Sequence, residues 1–263
     1  MIFRSVYMLV LIFIITLLSG IVAVTGGNGL ILMPSLLILD INIKEILLLV
    51  RSSAIVFVLF NLIALLREKK VASFGKKDFF ITTLASLTVI FSASFLTKLN
   101  DTFLMSLITV ILASLFLLVI FKPRGRILDK VFIFVLPFFA GICGSAVGGA
   151  GLIFSILYIL LGAKPQEAVQ KRILPSLAIQ IIAFISLLNQ NIKVDYSVFG
   201  VVMLATAIAG YLNIKIFMQL KPKTGKILFY ASFLFSMFNL LEDAIENILT
   251  AHNMDWLDLI HLF

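Results

Sequence analysis

The chain has 263 residues, of which 62% are hydrophobic and 13% charged, with a mean hydropathy of +1.18. Globular domains run at roughly 45–50% apolar and about 25% charged, so this composition excludes a soluble domain, and its wealth of Ile, Leu, Val and Phe excludes disorder. The net charge of +8, from 21 Lys+Arg against 13 Asp+Glu, lies in short clusters between apolar runs rather than on one soluble face, which excludes a nucleic-acid footprint and fits the loops of a polytopic membrane protein.

About 20 apolar residues cross a bilayer as a helix. Candidate spans fall at residues 6–25, 43–66, 79–97, 102–121, 131–148, 166–189, 195–218 and 226–241. The first has one basic residue, Arg4, and ends near Ser19-Gly20. It resembles a signal peptide, but its sequence recurs later in the chain, so it is read as a retained helix. The glycine cluster Gly26-Gly27-Asn28-Gly29 follows, and then the short apolar run 29–39. At 1.5 Å per residue this run reaches only about 16 Å, too short to cross. It reads as a half-helix.

Arg51 lies about two turns into the next span, inside the continuous apolar run Ile46–Leu66. A cation there needs a partner or a cavity. The basic linker Lys122-Pro123-Arg124-Gly125-Arg126 closes the first half. A second glycine break, Gly148-Gly149-Ala150-Gly151, is followed by a second short run, 151–162. Lys171-Arg172 then opens the next span, where either residue has two readings: anion ligand, or a side chain reaching back to the membrane surface. The acidic tail after Leu240 carries the only tryptophan, Trp256, an interfacial anchor.

These features form a repeat. At an offset of 122, Gly26-Gly27-Asn28-Gly29-Leu30-Ile31 aligns with Gly148-Gly149-Ala150-Gly151-Leu152-Ile153, and Glu45 with Glu167. One residue of slippage pairs Ser19-Gly20 with Ala140-Gly141 and Arg51 with Arg172. The chain therefore divides into repeats at residues 1–122 and 123–263. With Arg51, Lys171 and Arg172 set aside, 18 basic residues remain. If every long segment crosses, they divide 11 against 7. If segments 6–39 and 131–162 each enter and return on one side, the clusters at 67–77, 122–130 and 215–226 join Lys164. The division is then 14 against 4, a clear positive-inside bias. The expected fold is an all-α polytopic membrane protein of two inverted repeats, each a glycine-broken re-entrant helix pair plus three transmembrane helices. Both termini would then be extracytoplasmic.

Broken helices at membrane depth are tolerated where their backbone faces protein or a watery cavity. Two half-helix N-termini facing each other present unpaired N–H groups and positive dipole ends, which suit an anion. The candidate substrate-binding residues are Gly26, Gly27, Asn28, Gly29, Arg51, Ser52, Gly148, Gly149, Ala150, Gly151 and Arg172, with Arg51 foremost because a guanidinium fork matches an oxyanion. The competing reading is that these glycines only allow close helix packing. Ser35, Ser53 and Ser145 lie near the breaks, where backbone bonding or packing is the commoner role. Asn61, Gln180 and Asn189 suit interhelical hydrogen bonds, and Glu45 and Glu167 read as first-turn helix acids. The lone Cys143 excludes an internal disulfide, and His252 and His261 both lie near the C-terminal end, so no metal and no cofactor is expected. No nucleophile elbow, zinc-protease or Walker A motif occurs, which argues against an enzyme. Uphill movement would need an ion gradient, the proton being one candidate, or another protein.

The Ser19-Gly20 pair, the first glycine break and Leu30-Ile31-Leu32-Met33-Pro34 resemble the first motif of the TauE/SafE sulfite-exporter family. The second copy resembles Gly141 through Gly151 with the turn Gly162-Ala163-Lys164-Pro165-Gln166-Glu167-Ala168, and Lys193-Val194-Asp195-Tyr196 and Leu220-Lys221-Pro222-Lys223 also fit. The resemblance spans about residues 8–240. It implies a multi-pass inner-membrane protein that moves sulfite, a sulfonate or another small organic anion. An anion channel and a non-transporting membrane enzyme or assembly partner remain as alternatives on the residues alone.

Overall fold

The computed structural model describes residues 2–24, 26, 28–37, 39, 41, 43–96, 110, 114, 117–118, 121, 125–188, 192, 194–221, 223–232, 234 and 238. Those residues form helices and connecting turns, without a strand among them. The ordered elements are α1 (Ile2–Val22), α2 (Asn28–Leu37), α3 (Ile43–Arg67), α4 (Lys76–Leu96), α5 (Arg126–Val147), α6 (Ala150–Leu160), α7 (Pro165–Lys171), α8 (Ile173–Leu188) and α9 (Tyr196–Gln219). A further helical stretch covers 223–232. The expected span at 102–121 and the tail with Trp256 lie mostly or wholly outside the described residues.

Among the described residues, four stretches are long and apolar enough to cross a membrane: Glu45–Arg67, Ile127–Ser145, Pro165–Leu187 and Tyr196–Gln219. Large apolar side chains cover the outside, with Phe79, Phe91, Phe121 and Ile127 each more than 65% exposed. Such a surface suits hydrocarbon and not water. The two half-helices are as short as expected, at 10 and 11 residues.

The span expected at 166–189 is not one unbroken helix, because it divides into α7 and α8 at Arg172. Pro175 has no N–H to offer the Lys171 carbonyl, and its ring crowds that carbonyl, so the joint falls one turn upstream of the proline.

Helix packing crosses the boundary between the sequence repeats. The fourth helix of the first half, α4, packs on α5 and α8 of the second. Helix α9 of the second half packs on α1 and α3 of the first. Two packing groups result, one of α1, α2, α3 and α9, the other of α4 through α8. Their main seam is α3 against α8. The exchange is reciprocal in detail. A Cβ on Gly20 of α1 would meet Ala209 of α9, and one on Gly141 of α5 would meet Thr88 of α4. Both pairs map onto each other at the offset of 121.

The helix ends sort the loops. Glu45, in the first turn of α3, accepts the backbone N–H of Asp195, the N-cap of α9, at 2.8 Å. At the other end of α3, Arg67 and Lys215 both stand over the ring of Tyr211. Lys77, Gly162 and Lys171 line one cleft of about 240 Å³, and Gly125, Gly162 and Lys226 line another of about 380 Å³. The basic clusters of four different loops therefore gather at one end of the bundle.

Candidate functional site

Each glycine break follows a long helix and carries a glycine at positive φ. After α1, the Gly26 N–H donates to the Ala23 carbonyl at 2.9 Å, with Gly26 at φ +89°. After α5, the Gly148 N–H donates to the Cys143 carbonyl, with Gly148 at φ +72°. Left-handed backbone at a helix end is the habit of glycine, since a Cβ there meets the following carbonyl oxygen. The chain then turns into α2 and α6.

Arg172 lies between the two breaks. Its side chain is fully buried, and its Nη2 donates to the Val24 carbonyl at 3.3 Å. A Cβ placed on Gly26 would collide with the Arg172 guanidinium. One placed on Gly151 would come 2.9 Å from Nη1 and 2.8 Å from the Gly26 carbonyl oxygen. The guanidinium therefore touches both breaks, which are themselves in contact. Its Nε and Nη1 meet no acceptor, and neither recorded ion pair involves it among the described residues. Its neighbour Lys171 turns outward and pairs with Glu167 at 3.1 Å. Of the two readings of this dibasic pair, reaching back to the surface fits Lys171 and not Arg172.

Arg51 is also buried, but its fork is engaged. Nη1 donates to the Ala183 carbonyl at 2.9 Å and makes a longer contact of 3.5 Å with Ser186 Oγ. Nη2 donates to the Ser145 carbonyl. The expectation made Arg51 foremost among the ligands, whereas the guanidinium lying between the breaks is that of Arg172.

The two arginines are related by the repeat. Arg51 reaches from the first half to Ser145, near the end of α5, and Arg172 reaches from the second half to Val24, just beyond α1. Residues 24 and 145 are 121 apart, as are 51 and 172.

The other expected residues gather around these breaks to different degrees. Asn28 opens α2 and is buried, as are Gly29, Gly149, Ala150 and Gly151. Gly27 lies outside the described residues. Ser52 is buried beside Arg51 in sequence, and its Oγ has no partner among the described residues. Gln180 donates to the Gly148 carbonyl at 3.1 Å and so holds the second break against α8. Asn213, which the sequence reading did not weigh, donates to the carbonyls of Gly20 and Ile21 at 3.1 and 2.7 Å.

One more polar pair escaped the sequence reading. Asp78 Oδ1 accepts from the Tyr158 hydroxyl at 2.9 Å, and Oδ2 accepts from the Gly75 N–H at 2.8 Å. The second bond is the back half of a capping box at the start of α4. The first ties the far end of half-helix α6 to α4. Tyr158→Phe removes a buried donor from a charged acceptor. It is expected to lower stability by about 1–3 kcal/mol, read as the thermal midpoint of the purified protein in detergent.

A sequence model of the family described as Sulfite exporter TauE/SafE matches residues 10–240. The chain belongs to that family. TauE/SafE proteins are membrane transporters of the sulfite-exporter type and not enzymes. The TauE/SafE match takes in both glycine breaks, both buried arginines and α2 through α9. No curated protein and no solved structure gives a significant match.

Proposed function

We propose that this protein is a secondary transporter of a small oxyanion, such as sulfite or a sulfonate, acting as an exporter in the cell membrane. The carrying observation is Arg172, a fully buried guanidinium with Nε and Nη1 unengaged, in contact with both glycine breaks. An unpaired cation held out of water costs several kcal/mol. An anion arriving there would relieve that cost and accept charge-assisted hydrogen bonds from the guanidinium. The remaining donors are the first-turn N–H groups of α2 and α6, around Asn28, Gly29, Ala150 and Gly151, with Gly26, Gly27, Gly148, Gly149 and Ser52 lining the approach.

The same reading takes residues 1–122 and 123–263 as inverted repeats. It is supported by the paired arginine bonds at the offset of 121 and by the exchange of α4 and α9 between the halves. The gathering of four basic loops at one end supports the positive-inside orientation, with that end cytoplasmic. Because the breaks touch each other, the anion enters only when the two packing groups part along the α3–α8 seam. That is the motion of alternating access.

The test is uptake of labelled sulfite into liposomes carrying the purified protein. The expected result is saturable flux that is accelerated by unlabelled sulfite on the opposite side. Flux linear in concentration would assign the protein to the channels instead, and no flux of sulfite or any sulfonate would remove the reading.

A further inference from the structure

Arg51 and Arg172 occupy equivalent positions and reach equivalent carbonyls, yet their surroundings differ in a way that separates their tasks. Among the described residues Arg172 makes one hydrogen bond and leaves Nε and Nη1 without a partner, whereas Arg51 leaves only Nε so. Arg51 divides its fork between two helices of the opposite packing group, with Ser145 of α5 on one nitrogen and Ala183 and Ser186 of α8 on the other. The difference is partly written in the chain, since the position equivalent to Ser186 in the first half is Leu65.

We propose, resting on the reading of Arg172 as the anion ligand, that Arg51 is a positioning residue that ties the two packing groups together and does not itself hold the substrate. It belongs to α3, and every group it bonds belongs to α5 or α8. Its fork fixes the end of α5, three residues before Gly148, against α8. It thereby sets where the second break stands relative to Arg172, one residue before α8 begins. Since Arg51 crosses the seam that opens and closes, its bonds are made in one access state and must be rearranged to reach the other. Substitution there changes how fast the groups exchange, not how well a closed site grips an anion.

The geometry of the fork gives the test its variants. Arg51→Lys keeps the charge, but a lysine is a single point donor and cannot bridge α5 and α8 in the same way. Ser186→Ala removes one acceptor of the strut at a position that does not contact Arg172. Both are assayed beside the unsubstituted protein and Arg172→Gln in liposomes, with sulfite as the probe, for maximal flux and half-saturating concentration. The sulfite-induced rise in thermal midpoint is measured on the same preparations.

Arg51→Lys is expected to lower maximal flux about tenfold while the half-saturating concentration stays within about twofold. The thermal response to sulfite is retained. Ser186→Ala moves flux in the same direction by a smaller factor and serves as the test if Arg51→Lys does not fold. A half-saturating concentration raised about tenfold at unchanged maximal flux, or loss of the thermal response in Arg51→Lys, would make Arg51 a ligand and overturn the proposal. Kinetics unchanged in both variants would overturn it as well. Failure of the underlying reading looks different: the unsubstituted protein then shows no response to sulfite, or Arg172→Gln responds as well as it does.

Discussion

Replacing Arg172 by glutamine is expected to abolish the response to sulfite while leaving the unliganded protein as stable as before, or more so. The reasoning turns on the state of the guanidinium. It is fully buried, makes one hydrogen bond at 3.3 Å and has no carboxylate partner among the described residues. A neutral amide of similar length keeps a donor for the Val24 carbonyl and removes the uncompensated charge, which ordinarily helps stability. What disappears is the charged donor to the anion, and the loss of one charge-assisted hydrogen bond at about 1.5–3 kcal/mol weakens binding by roughly tenfold to a hundredfold. The check is a thermal-denaturation series with and without sulfite, followed by flux in liposomes. A large fall in unliganded stability would assign Arg172 a structural role instead.

The second large effect is expected at Gly26. Gly26→Ala puts a Cβ on backbone at φ +89° and drives it into the Arg172 guanidinium. The left-handed conformation alone costs about 1–2 kcal/mol for alanine. The collision adds displacement of Arg172, and that displacement should stop transport. Gly162→Ala supplies the comparison, since Gly162 has φ +93° but a Cβ there would meet nothing within 4 Å. Both variants are expected to lose stability by about 1–2 kcal/mol or more, and only Gly26→Ala to lose flux. Equal transport in the two would separate the first break from the site.

Much of this architecture was legible because it rests on signals of long range along the chain. Apolar length marked the spans, and α3 and α9 follow the expected 43–66 and 195–218 to within a residue or two. Glycine runs marked the breaks, since backbone at positive φ leaves a compositional trace. The duplication then pointed to both arginines. What stayed hidden depends on direction in space. From the sequence, Arg51 in mid-span looked more deeply placed than Arg172 beside Lys171. Yet Arg172 stands about 100° round the helix from Lys171, and it faces inward while Lys171 pairs with Glu167. Asn213 and the Asp78–Tyr158 pair have no motif, because their partners are carbonyls or residues far away in the chain. The capping position of Asp78, three residues after Gly75, was the one local sign available.

The exchange of α4 and α9 also bears on how the molecule comes to exist. Helices α1 and α3 are synthesised first, but the helix that covers them is among the last described segments of the chain. Until α9 arrives, the buried faces of Phe57 and Gly20 that meet it stand open to lipid or to one another. Among the described residues neither half encloses its own core, and the first half depends on α9 to cover α1 and α3. The intertwined packing makes assembly of this membrane protein a late, long-range event.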